Sequence, residues 1–411
     1  MVVCLFEIGW MNIKLSSLNF NANPMYQAHY SKFLSANPKR LHFAAHSHHY
    51  WLDATRDAHL QYWDDSARLA DKKWMHIFSE IVPKAQRHIA RLLDLTFPEQ
   101  IAFAPNTHEF VLRLLSCVEH SPIRVLTTDS EFYSFSRQIA RLEENGNVRA
   151  TRIPVEPFET FEARFVEATQ RESYDLVFFS HVFFNSGFAV RDLESIVSAV
   201  KSEQTIVVID GYHSFCAVSF SMKPIEARAF YLSGGYKYAQ AGEGVCFLCV
   251  PKGNQSRPVN TGWYAEFGNL ANRKSGEVNY SGDGFRFFGA TFDPSGLYRW
   301  NAVGDWLEAQ KLSVAEIHAY VKALQRCFLK NLSESQVKSL TVKHLLPNVE
   351  IESRGHFLTF DIPNAEAIES ELLKTDVVID RRGTRLRFGF GLYQTEADVK
   401  ELITRLSGIS K

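Results

Sequence analysis

Apolar positions along the chain fall into two rhythms. Between residues 51 and 93 they recur at helical spacing (Trp51, Leu60, Trp63, Leu69, Trp74, Ile77, Ile81, Ile89, Leu92), which predicts two helices broken near Pro83. From residue 101 the rhythm changes to short unbroken apolar runs. These predict strands over 101–106, 124–127, 148–155, 176–180 and 205–209, with two more over 230–232 and 244–250. Helix-period stretches at 107–117, 131–144, 158–171 and 191–202 separate the first five. Strands that are apolar on both faces and alternate with helices predict an α/β unit: a mostly parallel central sheet sandwiched by helices. Ligands of such sheets bind beyond the carboxyl ends of the strands. Asn106–Thr107, Ser180–His181 and Asp210 fall there.

The pattern loosens over 259–296, a glycine- and asparagine-rich stretch with interleaved aromatic residues. Segments of that length without clear elements are usually functional. A long amphipathic pattern returns over 297–332. Residues 341–411 then predict strands at 349–351 and 356–362, a helix at 365–374, strands at 377–380 and 385–389, and a helix at 396–406. The expected plan has three parts. Residues 1–50 form an N-terminal arm that contributes to the small domain and the active site, 51–296 the large domain, and 297–411 a small C-terminal α+β domain. There are no internal repeats.

With 411 residues, 45% of them hydrophobic, the chain can bury two or three cores. A formal charge of -1 gives no electrostatic footprint for nucleic acid or an anionic membrane. No run approaches the ~20 apolar residues that span a bilayer. The first residues lack a basic region before their apolar part and carry Glu7, unlike a signal peptide, and Met11 offers an alternative start. A cytoplasmic protein is predicted. The six cysteines suggest no disulfide framework. Cys246 and Cys249 form a C-x-x-C, but in a strand positions three apart point to opposite faces, so they are read as small buried hydrophobes. His42, His46, His48 and His49 crowd one loop without Cys, Asp or Glu at a ligand spacing, so no metal site is predicted. That loop is either a contact for a planar substrate, through His46 and His48, or an ordinary solvated loop.

The segment 205–251 concentrates the candidate chemistry. Asp210 ends a strand, His213 follows three residues later, and Lys237 follows Gly234-Gly235-Tyr236. A lysine so placed can form a Schiff base if burial or a nearby cation lowers its pKa. It can equally be a solvated loop lysine. Asp210 can pair with a protonated pyridine nitrogen or be a strand-end turn aspartate. His213 can touch a cofactor or pack as an apolar ring.

DGYHS followed by GGYKYAQAGEG resembles the DxxH…YKYLNxGxG pattern of kynureninases, which are fold-type I pyridoxal-phosphate enzymes. Class V aminotransferases and cysteine desulfurases share a looser version. RLRFGFGLYQTEADV (385–399) resembles a second kynureninase segment, whose arginine binds the substrate α-carboxylate. The resemblance therefore implies pyridoxal phosphate on Lys237, with Asp210 and His213 at its ring and Arg387 on the substrate, a bidentate reader of carboxylates. It further implies phosphate contacts from Asn106 and Thr107 at a helix start, from Tyr236, and from Trp263. SHVFFNSG (180–187) resembles a segment beside the ring, and Phe132, with Tyr133 as the alternative, is the implied stacking ring. Thr291 resembles a residue presented across a dimer interface, so a homodimer with shared sites is implied. Departures fall where substrate side chains are read: AAHSHHYW in place of GNSLG, Gly289 opposite an asparagine, and Thr128-Asp129-Ser130-Glu131 in place of Phe-Pro-x-Asp. The implied activity is hydrolysis of a Cβ–Cγ bond to alanine and an aromatic acid. The alternatives are a class V aminotransferase or β-lyase on another amino acid, and a non-catalytic binding relative. A desulfurase carrying a persulfide is disfavoured because no cysteine follows Cys327.

Overall fold

In a computed structural model, which describes residues 26–272, 276–348 and 353–409, each short apolar run between 101 and 250 forms a strand. In chain order the strands are β1 (Leu41–His42), β2 (Ile101–Ala104), β3 (Ile123–Thr128), β4 (Val148–Ile153), β5 (Leu176–Ser180), β6 (Ile206–Asp210), β7 (Ala229–Gly234) and β8 (Cys246–Cys249). They continue with β9 (Leu345–Leu346), β10 (Phe357–Asp361), β11 (Val377–Val378), β12 (Asp380–Arg382) and β13 (Arg385–Gly389).

β2 to β8 form one seven-stranded sheet in the order β2-β8-β7-β6-β5-β3-β4. Only β8 runs against the others. Every residue of β5 and β7 is buried, as strands covered on both faces require. The helix Tyr133–Glu144 shows how the cover is made: Phe135 stacks on Phe178 of β5, centroids 3.7 Å apart. Because one strand alone is reversed, the carboxyl ends of β2, β3, β5, β6 and β7 share one edge of the sheet. That is the fold-type I pyridoxal-phosphate architecture, an α/β fold.

A second sheet, in the order β12-β13-β10-β9, is antiparallel throughout. β11 instead pairs in parallel with β1, Leu41 opposite Val377. The strand expected over 377–380 is thus split at Ile379 between two sheets. The strand expected at 349–351 lies outside the described residues.

Two helix expectations need correction. The break in 51–93 is not at Pro83. The helix Ala54–Leu69 ends at Ala70, whose φ is +50°. Pro83 instead sits in the first turn of the helix Val82–Leu93, after a π turn at Ile77–Ile81 where the ordinary hydrogen-bond ladder is already interrupted. The single pattern over 297–332 is two helices, Ser295–Ala309 and Val314–Glu334. The second begins with a Ser313–Glu316 capping box, each side chain closing the other's open backbone N–H.

Candidate active site

Asp210 is the last residue of β6, and Lys237 lies three residues beyond β7, its hydrogen-bonded neighbour. The glycines before the lysine are required by packing. A Cβ on Gly234 would lie 2.2 Å from the Tyr212 hydroxyl, and one on Gly235 2.4 Å from Val245. The chain passes so close to its neighbours that only hydrogen fits.

Lys237 is 4% exposed, and its Nζ lies 2.7 Å from His213 Nε2. Burial lowers the ammonium to about 7, while Asp210 pulls the other way and Arg387 reinforces the fall. His213, also buried, is held well below its ordinary range by desolvation and by Lys237. Its Nδ1 has no partner. Asp210 is pushed up by burial, opposed by the Tyr212 N–H at 2.8 Å and by Lys237. The Phe132 ring lies 5.2 Å from the lysine nitrogen, whereas Tyr133 is 56% exposed.

At the sheet edge by β2, Asn106 caps the helix Thr107–Leu115, its side chain accepting the Glu109 N–H at 3.1 Å. The buried ends of β3 and β5 hold a further carboxylate, Glu131. It accepts from the Thr128 hydroxyl at 2.7 Å, the Ser180 hydroxyl at 2.5 Å and the Ser180 N–H at 3.2 Å. Burial nonetheless pushes it up to about 8.

Arg387, on β13, reaches the same centre. Its cation lies 5.8 Å from both the Phe184 and Phe357 rings, and His213 sits 5.3 Å from Phe357. The two histidines expected to contact substrate part company. His46 is buried, stacked on Phe357 at 4.6 Å, whereas His48 is exposed and stacks on Tyr236 at 5.2 Å. Tyr236 itself lies 5.7 Å from the lysine nitrogen. Trp263 packs on Tyr264 at 4.1 Å, and Thr291 lines a cleft of about 270 Å³ with Arg113, Thr261 and Pro105, the residue before Asn106.

Sequence reasoning missed Glu131 and Asp380 as site residues. Asp380 is ion-paired with Arg387 across β12 and β13. The signal was present as opposite charges in two strands joined by Gly383-Thr384, but which arginine faces Asp380 depends on register. Among the described residues no group of three or more His, Cys, Asp or Glu could hold a metal ion, and no helix is long and apolar enough to cross a membrane.

The residues fit pyridoxal phosphate on their chemistry: an amine about half deprotonated near pH 7, a half-buried carboxylate interacting with it, the Phe132 ring near the amine, and a helix N-terminus for an anion. Fold and donor set together define a pyridoxal-phosphate-dependent enzyme. More narrowly, the chain belongs to the class-V aminotransferase family, whose model matches residues 49–402.

Solved structures share the fold at low identity. A complex of the cystine C-S lyase C-DES with its product cysteine persulfide superposes with a TM-score of 0.74 at 17% identity, covering 90% of this chain and 97% of that one. The cysteine desulfurase CsdA from Escherichia coli gives 0.77 at 13%, covering 94% and 98%. A cysteine desulfurase from Thermococcus onnurineus gives 0.74 at 14%, covering 91% and 95%. No curated protein matches the sequence significantly.

Proposed function

We propose that the protein is a β-lyase acting on an α-amino acid, with a sulfur-substituted Cβ as the best substrate class. The observation that carries the reading is the buried Lys237 amine, lowered to about 7 beside His213 and Asp210, in a site that Arg387 also reaches. Pyridoxal phosphate, when bound, supplies the electron sink that makes a substrate α-proton acidic. The chain supplies the rest. Arg387 would grip the α-carboxylate, Asp210 would hold the pyridine nitrogen protonated, and deprotonated Lys237 would take the α-proton and pass it to the departing sulfur. The Cβ–S bond then breaks with its electron pair leaving on sulfur, and water releases pyruvate and ammonia.

The likeness of fold to a cystine C-S lyase supports this choice over transamination. The cysteines support a sulfur that stays on the small molecule. None follows Cys327, Cys246 is buried with its thiol pushed up to about 12, and Cys249 is pushed up as well. A thiol so held is a poor persulfide carrier. Neither the homodimer nor Thr291 as a contact to a second copy's phosphate is needed for these steps, and both remain part of the proposal.

The kynureninase-like hydrolase is the second reading. It is favoured by the two sequence motifs, whose Asp210, His213, Lys237 and Arg387 come together in one centre.

Purified protein is incubated with L-cystine, then with L-kynurenine, each with and without a keto acid. Pyruvate with persulfide sulfur from cystine, independent of keto acid, supports the lyase. Anthranilate from kynurenine supports the hydrolase. Turnover that requires a keto acid refutes both. Lys237→Ala should lower any of these activities by on the order of a thousandfold or more, as loss of a covalent catalyst does.

A further inference from the structure

Besides Glu131, a second, half-buried carboxylate has no part in the steps above. Asp380 stands directly opposite Arg387 in antiparallel register. Arg387 Nη2 donates to Asp380 Oδ2, Nη1 donates to the Phe184 carbonyl, and Nε has no partner. The other Asp380 oxygen accepts from Arg382 Nη1 at 2.9 Å, and His46 Nε2 lies 3.6 Å from Oδ2. The side chains of Arg387 and Asp380 are 3% and 11% exposed, so solvent screens this pair little. The guanidinium assigned to a substrate carboxylate therefore already holds one.

Arg382 occupies a different setting. It is 39% exposed and lines a cleft of about 560 Å³ between Asp129, Tyr133 and Phe184 on one side and the β12–β13 turn on the other. Asp380 thus bridges two cations, one inside the site and one lining that cleft. A turn of the carboxylate away from Arg387 keeps the second contact, so displacement exchanges ion pairs and leaves no bare charge.

We propose that Asp380 is an internal competitor for the substrate carboxylate, one that neutralises Arg387 until an amino acid displaces it toward Arg382. The inference rests on the reading of Arg387 as the carboxylate grip. Its consequence is a relaxed preference for carboxylates: an α-amino acid must outcompete Asp380, while an amine lacking a carboxylate leaves no buried cation unpaired. Asp380 makes the site discriminate less between the two than Arg387 alone would.

Asp380→Asn keeps the shape and removes the charge. Holoenzyme of the wild type and of this variant is titrated with L-alanine, followed by cofactor absorbance, and with acetate, followed by calorimetry. If Asp380 holds Arg387 in about nine molecules of ten, the competent fraction is one tenth and apparent affinity is about tenfold below intrinsic. The expected result is about tenfold or greater tightening for both probes in Asp380→Asn. Asp380→Ser repeats the test with a smaller neutral side chain, should the asparagine protein not fold. Arg382→Gln should weaken L-alanine, because the displaced carboxylate loses its second cation. Unchanged or weaker binding by Asp380→Asn overturns the proposal and makes Asp380 a prop for Arg387. Wild-type affinity in Arg382→Gln refutes the direction of displacement. If L-alanine perturbs the cofactor in neither protein, the amino-acid reading of the site fails, and acetate still decides the role of Asp380.

Discussion

Lys237 gives the most direct test of the site's electrostatics, because its amine can be titrated without any substrate. Moving from 10.5 to about 7 corresponds to about 5 kcal/mol in favour of the neutral form. About half of Lys237 should be unprotonated at pH 7, against about 0.03% of an ordinary lysine. The nucleophilic fraction differs about a thousandfold. Brief reductive methylation of the apoenzyme across pH 5–10, with the Lys237 peptide quantified by mass spectrometry, reads that fraction directly. Modification should be half-maximal near pH 7, about three pH units before the bulk of surface lysines. Two variants should move the midpoint in opposite directions. Asp210→Asn removes the carboxylate that favours the ammonium and should lower the midpoint; Arg387→Gln removes a repelling cation and should raise it. A Lys237 midpoint above 9, or the same direction of shift in both variants, would refute the argument from burial and charge.

In the apoprotein the folded pKa of Lys237 lies below its unfolded value, so unfolding takes up a proton between about pH 7 and 10.5. This group's destabilising contribution is full below about 7 and fades as pH rises, so Lys237→Met should raise the thermal midpoint more at pH 7 than at pH 9.5. Arg387→Ala should weaken amino-acid binding by about 2–5 kcal/mol, measured by cofactor absorbance titration, since it deletes a buried charge partner. Gly234→Ala would place a methyl 2.2 Å from the Tyr212 hydroxyl and should destabilise the protein by about 1–3 kcal/mol, with cofactor uptake impaired as the Lys237 loop shifts.

Much of the large sheet was legible because its strands are buried on both faces. β5 matches its apolar run to the residue, and β2, β3 and β6 lie within two residues of theirs. Capping logic is legible in the sequence too. The Ser313-x-x-Glu316 box sits in the sequence and would have divided the pattern at 297–332. The helix end at Ala70 left no such mark, because a residue at positive φ that is neither Gly nor Asn is chosen by the packing around it.

By itself, the sequence determined the spine of the candidate site: Asp210 at a strand end, His213 after it, and Lys237 behind two glycines. Strand patterning marks the end of β6, and the order of the three residues carries the family resemblance; the glycines answer to Tyr212 and Val245, which folding brings against them. Only the tertiary structure decided how the charges pair and which of two similar side chains is inside. His46 and His48 are chemically alike and two residues apart, yet one is buried against Phe357, itself more than 300 residues away, while the other faces solvent. Arg382, Arg385 and Arg387 alternate along one hairpin, and the strand register alone puts Arg387 opposite Asp380. Burial and ion pairing depend on how distant segments meet, and that is set by the whole fold.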